Sequence, residues 1–153
     1  MAENSLRAIS TARGIITVTL KISWKNLEKI LEHAEESLPI EACGILAGKR
    51  VEQEGIVERV YPVRNLLNSS SEYQMDPQEQ IRVFEEVERE GLEVIGFYHS
   101  HPYWEPLWSR IDEERSKPWT GYSFLIVSPK TGNYRAYFRM ENTTVEEDII
   151  VLY

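Results

Sequence analysis

Cysteine occurs once, at Cys43, so no disulfide can form within the chain and a reducing compartment is its natural setting. No apolar run reaches the roughly 18 residues that a membrane-spanning helix needs, and the first ten residues, Met1 to Ser10, lack the apolar core of a signal peptide. Positive charge is in short supply: 17 Lys and Arg stand against 25 Asp and Glu, for a net charge of −8. Phosphate backbones want a basic face, so a nucleic-acid partner is excluded. These absences point to a cytoplasmic protein with no membrane and no nucleic-acid partner. A homodimer is an assembly the sequence leaves open.

What is present suits one globular domain. The chain has 153 residues, of which 42% are apolar and 27% charged, enough for a real core and an ordinary soluble surface. Residues 1–13 read as a flexible N-terminal tail and 14–153 as the folded domain. Ile15 to Lys21 is rich in β-branched residues and predicts a strand. Ser23 can cap a helix whose Trp24, Leu27, Ile30, Leu31 and Ala34 recur at helical spacing until Pro39. Ile45–Gly48 and Ile56–Val63 read as strands, with 52–55 as the turn, and 65–71 as a polar loop. Asp76 and Pro77 open a second helix carrying Ile81, Phe84 and Val87, which Gly91 ends. Val94–Tyr98 has the near-continuous apolar character of a central strand. Two more strands flank the turn 129–132, and Ile149–Tyr153 forms the last. The pattern is α/β (α+β): a mixed sheet of six to eight strands with about three helices.

The three histidines of the chain are not scattered evenly: His99-Ser100-His101 places two of them together. Alternate residues of a strand project to one side, so two imidazoles at this spacing can serve one tetrahedral metal. Asp112 follows within Ser109-Arg-Ile-Asp112, which has the form of a capping box. A helix N-terminus favours the ionised carboxylate that a metal needs. Two histidines and one acid leave a fourth position open, as catalytic zinc requires. Glu41 stands upstream, at the mouth of an apolar strand, where a carboxylate can move protons.

Glu41, His99-x-His101, seven residues, Ser109, two residues and Asp112 reproduce the signature of the JAMM/MPN zinc metallopeptidases, and the chain resembles a small prokaryotic single-domain member. Glu41-Ala-Cys-Gly44, Tyr73-Gln-Met-Asp-Pro77 and Gly96-Phe-Tyr-His-Ser-His-Pro102 extend the resemblance, which runs from about Ile15 to the C-terminus. It implies an MPN-like (cytidine-deaminase-like) curved sheet. It implies one Zn2+ per chain held by His99, His101 and Asp112, Glu41 as general acid/base, and Ser109 as donor to the oxyanion. It also implies cleavage after the C-terminal Gly-Gly tail of a ubiquitin-like or sulfur-carrier-like protein. The leaving group is left open between a lysine of a target protein and a small molecule such as an amino acid.

A tail without side chains near the scissile bond can enter a narrow groove as an added strand. Tyr103, Trp104, Trp108 and Trp119 surround the motif and are expected either to wall that groove or to pack beneath a long loop. Trp108 stands where many relatives carry a proline before the serine. Cys43 is expected to be a small buried residue, His33 a surface residue, and Ser100 to face away from the metal. A cupin would want a further histidine, and amidohydrolases and metallo-β-lactamases more imidazoles than this chain owns. The alternative function is a non-catalytic MPN scaffold that binds a partner subunit.

Overall fold

The computed structural model describes the backbone of residues 8–11 and 14–153, and side chains from Val18 onward. Of the expected N-terminal tail, residues 1–7 and 12–13 lie outside the described residues, while Ala8–Thr11 forms a strand, β1. It pairs antiparallel with β2, Gly14–Thr17. The strand expected over 15–21 is thus divided. Its first half belongs to this hairpin, and its second half begins β3, Thr19–Ser23.

The remaining strands are β4 (Cys43–Val51), β5 (Glu54–Val63), β6 (Glu93–Ser100), β7 (Ser123–Val127), β8 (Tyr134–Arg139) and β9 (Thr144–Leu152). With β3 they close a seven-stranded barrel in the order β3-β5-β4-β6-β7-β8-β9, the parallel β9–β3 pair completing the ring. β9 starts five residues earlier than expected, because Thr144 to Asp148 is too charged to read as a strand.

Three helices, among the described residues, accompany the barrel: α1 (Trp24–Ser37), α2 (Pro77–Arg89) and α3 (Arg110–Ser116). Ser23 caps α1 by accepting the Asn26 N–H at 3.1 Å. Leu27, Ile30 and Ala34 of α1 are fully buried against Leu20, Ile22, Leu46 and Leu125. Burying each Leu or Ile there stabilises the fold by about 1.5–3 kcal/mol. His33 is not the expected surface residue: its Nδ1 lies 2.7 Å from the Tyr98 hydroxyl, which needs a partner in the core.

Asp76 caps α2 through the Gln78 N–H. Val83, Phe84 and Val87 turn inward, whereas Ile81 points to solvent at 59% exposed. Together with Trp108, Trp119 and Tyr122 from the segments on either side of α3, α2 covers a second core of Cys43, Ile45, Met75, Phe97 and Phe124. β6 lies between β4 and β7 and is buried from Ile95 to Ser100, as its apolar run predicts. Its C-terminal end is where the histidines emerge.

Candidate metal centre and groove

His99 is the penultimate residue of β6, and His101 continues the strand by donating its N–H to Val127 O at 2.9 Å. That extension keeps both imidazoles on one side, their ring centroids 5.3 Å apart. Ser100 faces the other way, fully buried, and its Oγ accepts the Ala42 N–H at 2.8 Å. The carboxylate arrives from α3. Ser109 Oγ accepts the Asp112 N–H at 3.0 Å, and Asp112 Oδ2 accepts the Ser109 N–H at 3.0 Å, a reciprocal capping box. The box holds the Asp112 carboxylate against both rings: His99 Nε2 is 2.9 Å from Oδ1, and His101 Nε2 is 3.3 Å from Oδ2.

One ligand atom from each of His99, His101 and Asp112 lies within 4.8 Å of the others, and all three residues are buried. His101 Nδ1 sits 2.9 Å from the Glu105 carbonyl. A carbonyl can only accept, so Nδ1 carries a proton, and Nε2 is the nitrogen turned toward Asp112 and available for a ligand role. The His99 ring is 1% exposed, its Nδ1 has no hydrogen-bond partner, and its Nε2 has only the Asp112 carboxylate beside it. No amide or hydroxyl competes for His99 Nε2, so that nitrogen is available, with His101 and Asp112, to a cation placed between the three residues. The donor set of two imidazoles and one carboxylate fits a divalent metal with a position left for water.

Burial alone would raise the Asp112 carboxyl, but His99, His101 and the Ser109 amide outweigh it and hold it well below the usual carboxylate range. It is ionised, as a ligand must be. Glu41 behaves oppositely: burial pushes it up to about 7, against the pull of His99 and His101. A carboxyl poised there can both take and return a proton near neutrality.

Glu41, His101 and Ser109 share a groove of about 390 Å³ with Ser71, Trp104, Leu107, Trp108 and Ile111. Among the expected aromatic residues, Trp104 and Trp108 line it. Tyr103 does not; it is 48% exposed under the Lys130 ammonium, 5.5 Å from the ring centroid. Trp119 lies elsewhere, packed on Phe97 with ring centroids 4.7 Å apart. It walls a separate cavity of about 260 Å³ with Tyr73 and Phe124. Closeness in sequence misled here, because α3 carries the chain away from the groove before residue 119. Leu107, Ile111, Glu105 and Ser71 are the lining residues that sequence reasoning missed. The first two could have been found as the aliphatic residues two positions either side of Ser109.

The family model described as prokaryotic homologs of the JAB domain matches residues 24–140. A desampylase of Pyrococcus furiosus is 40% identical over 134 residues, covering 88% of this chain and 91% of the relative. A CysO-cysteine peptidase of Mycobacterium tuberculosis is 30% identical over 125 residues, covering 80% and 84%. A solution structure of a Desulfitobacterium hafniense protein superposes with a TM-score of 0.78 at 34% identity, covering 86% of this chain and 92% of the other. With the His-His-Asp cluster and its neighbouring glutamate in place, the chain belongs to the prokaryotic JAB family of JAMM/MPN proteins.

Proposed function

We propose that the chain is a zinc-dependent peptidase that hydrolyses the peptide or isopeptide bond following the Gly-Gly tail of a ubiquitin-like or sulfur-carrier-like protein. The observation that carries this reading is the joining of one groove to one metal-ligand cluster, with Glu41 and the ligand His101 both in the groove wall. The names of the relatives, a desampylase and a CysO-cysteine peptidase, agree with it.

His99, His101 and Asp112 would hold the ion. A zinc ion there supplies Lewis acidity, which polarises a carbonyl and brings the pKa of water near 7. Glu41 accepts a proton from the attacking water as the new C–O bond forms, and returns it to the leaving amine as the C–N bond breaks. Ser109 Oγ already accepts the Asp112 N–H. Its own hydroxyl proton remains free to donate to the oxyanion, a contact whose loss costs about 10²–10³ in rate. Trp104, Leu107 and Ile111 offer an apolar wall along which the tail is laid, and the exposed Trp104 and Leu107 have room to adjust to it.

The test is cleavage of a Gly-Gly-tailed carrier fusion by protein of known zinc content. Wild type should cleave, and Glu41→Gln should keep its zinc while losing about 10²–10⁴ in rate. Equal cleavage by both proteins would remove Glu41 from the mechanism. Stoichiometric zinc without cleavage of any carrier would favour the scaffold reading.

A further inference from the structure

Asn65, the second residue after β5, uses every hydrogen-bonding position of its side-chain amide. Nδ2 donates to Glu41 O at 3.0 Å and to Glu72 O at 3.2 Å. Oδ1 accepts the N–H of Leu67 and of Gln74, each at 3.0 Å. The orientation of the amide is therefore unambiguous, since a flip would face donors with donors and acceptors with acceptors. The Glu41 N–H also goes to this loop, donating to Ser69 O at 2.8 Å. Both backbone polar groups of Glu41 thus end on the segment that carries Ser71, which lines the groove.

Glu41 precedes β4 and belongs to no strand, so the sheet ladder does not fix it. Ala42, the next residue, is tied to Ser100 by a reciprocal pair, Ala42 N–H to Ser100 Oγ at 2.8 Å and Ser100 N–H to Ala42 O at 3.0 Å. The Ser100 pair sets the distance to the histidines. Asn65 and Ser69 set the remaining orientation.

We infer that Asn65 is a positioning residue for Glu41: it joins the proton-carrying carboxylate and the loop wall of the groove into one unit, so that neither moves without the other. The inference rests on the role given to Glu41 above. It predicts a defect in the chemical step rather than in metal binding, because the ligands stand on β6, its one-residue extension and α3, which Asn65 does not touch.

Asn65→Asp separates the two halves of the hub. It keeps the acceptor for Leu67 and Gln74 and loses both donations, including that to Glu41. In the zinc-loaded protein, kcat on the Gly-Gly fusion should fall about 10–100-fold, with KM within about threefold and bound zinc unchanged. The Glu41 N–H donates to Ser69 O, on the loop that Asn65 ties to the Glu41 carbonyl. It should exchange with solvent about tenfold faster by NMR once that tie is lost and the loop opens more often. An unchanged exchange rate overturns the inference, as does an unchanged kcat where wild type cleaves. Loss of zinc together with activity overturns it too, by making Asn65 a residue of general fold integrity. If wild type leaves the fusion intact, the substrate reading fails by itself, and Glu41 exchange still decides the role of Asn65. Should Asn65→Asp not fold, Asn65→Ser is read by the same measurements.

Discussion

Trp108 donates its indole N–H to Glu113 Oε1 at 2.9 Å, tying the wall of the groove to the helix that delivers Asp112. The other oxygen of Glu113 accepts from the Arg139 guanidinium at 2.8 Å, and that arginine is 4% exposed. Glu113 itself is about one-third exposed, so solvent screens its side of the pair. Glu113→Gln should therefore destabilise the fold by about 1–2 kcal/mol, less than a fully buried pair would lose. Trp108→Phe should cost less than Glu113→Gln, because Arg139 keeps its partner. Urea melts of the three proteins measure both.

Metal binding should be visible without any substrate. Zinc at a hundredfold excess over its dissociation constant stabilises a folded protein by about 2.7 kcal/mol, which for this length corresponds to a rise in Tm of roughly 5–10 °C. The rise should be absent in His99→Ala and in Asp112→Ala. A zinc-dependent shift retained at full size by His99→Ala would remove that ring from the ligand set.

Much of this centre was legible because its parts are local. The apolar run Val94–Tyr98 and the spacing of His99 and His101 lie in one strand and its extension, and the Ser109–Asp112 box closes over four residues. Partnerships across long sequence separations were not legible. The barrel closes by pairing Thr19 with Asp148, a contact no local pattern encodes. Asn65 reads as an ordinary loop residue until Glu41, 24 positions away, is set beside it. Trp119 shows the converse, a residue near the motif in sequence for which wall and packing were both open and whose ring the fold sends into the second core.

Stability should also respond to pH through Glu147, far along the barrel from the histidines. Its side chain is 2% exposed beside Ser123 and Arg50, and burial raises its carboxyl from 4.5 to about 7. Between those values the folded chain holds a proton that the unfolded chain releases, so stability falls as pH rises from 4.5 to 7 and then levels. Glu147→Gln should abolish this component, leaving the variant relatively more stable at pH 8 than at pH 5 by about 1–3 kcal/mol. Denaturant titrations of metal-free protein at those two pH values compare wild type with the variant. Equal pH dependence in the two proteins would contradict the assignment.

Cys43 pairs with His99 across β4 and β6, yet it is no nucleophile. The thiol is fully buried, donates to Val63 O at 3.3 Å, and is pushed by burial up to about 12. Native protein should resist alkylation by iodoacetamide at pH 8, and should become reactive only in denaturant. Cys43→Ala should retain cleavage within a few-fold. Loss of turnover with an intact fold and full zinc would reopen thiol chemistry.

The ring closure has a consequence for how a carrier is received. Each of the seven barrel strands already has a hydrogen-bonded neighbour on both sides, so no whole strand is left as a bare rim for an incoming tail to extend. An extended tail bound in the groove, as the proposed function requires, would meet main-chain groups of the two irregular stretches that bound it, around Ser71 and around Leu107. Main-chain recognition in the groove is thereby left to two short loops, while the barrel strands beneath them are already fully paired.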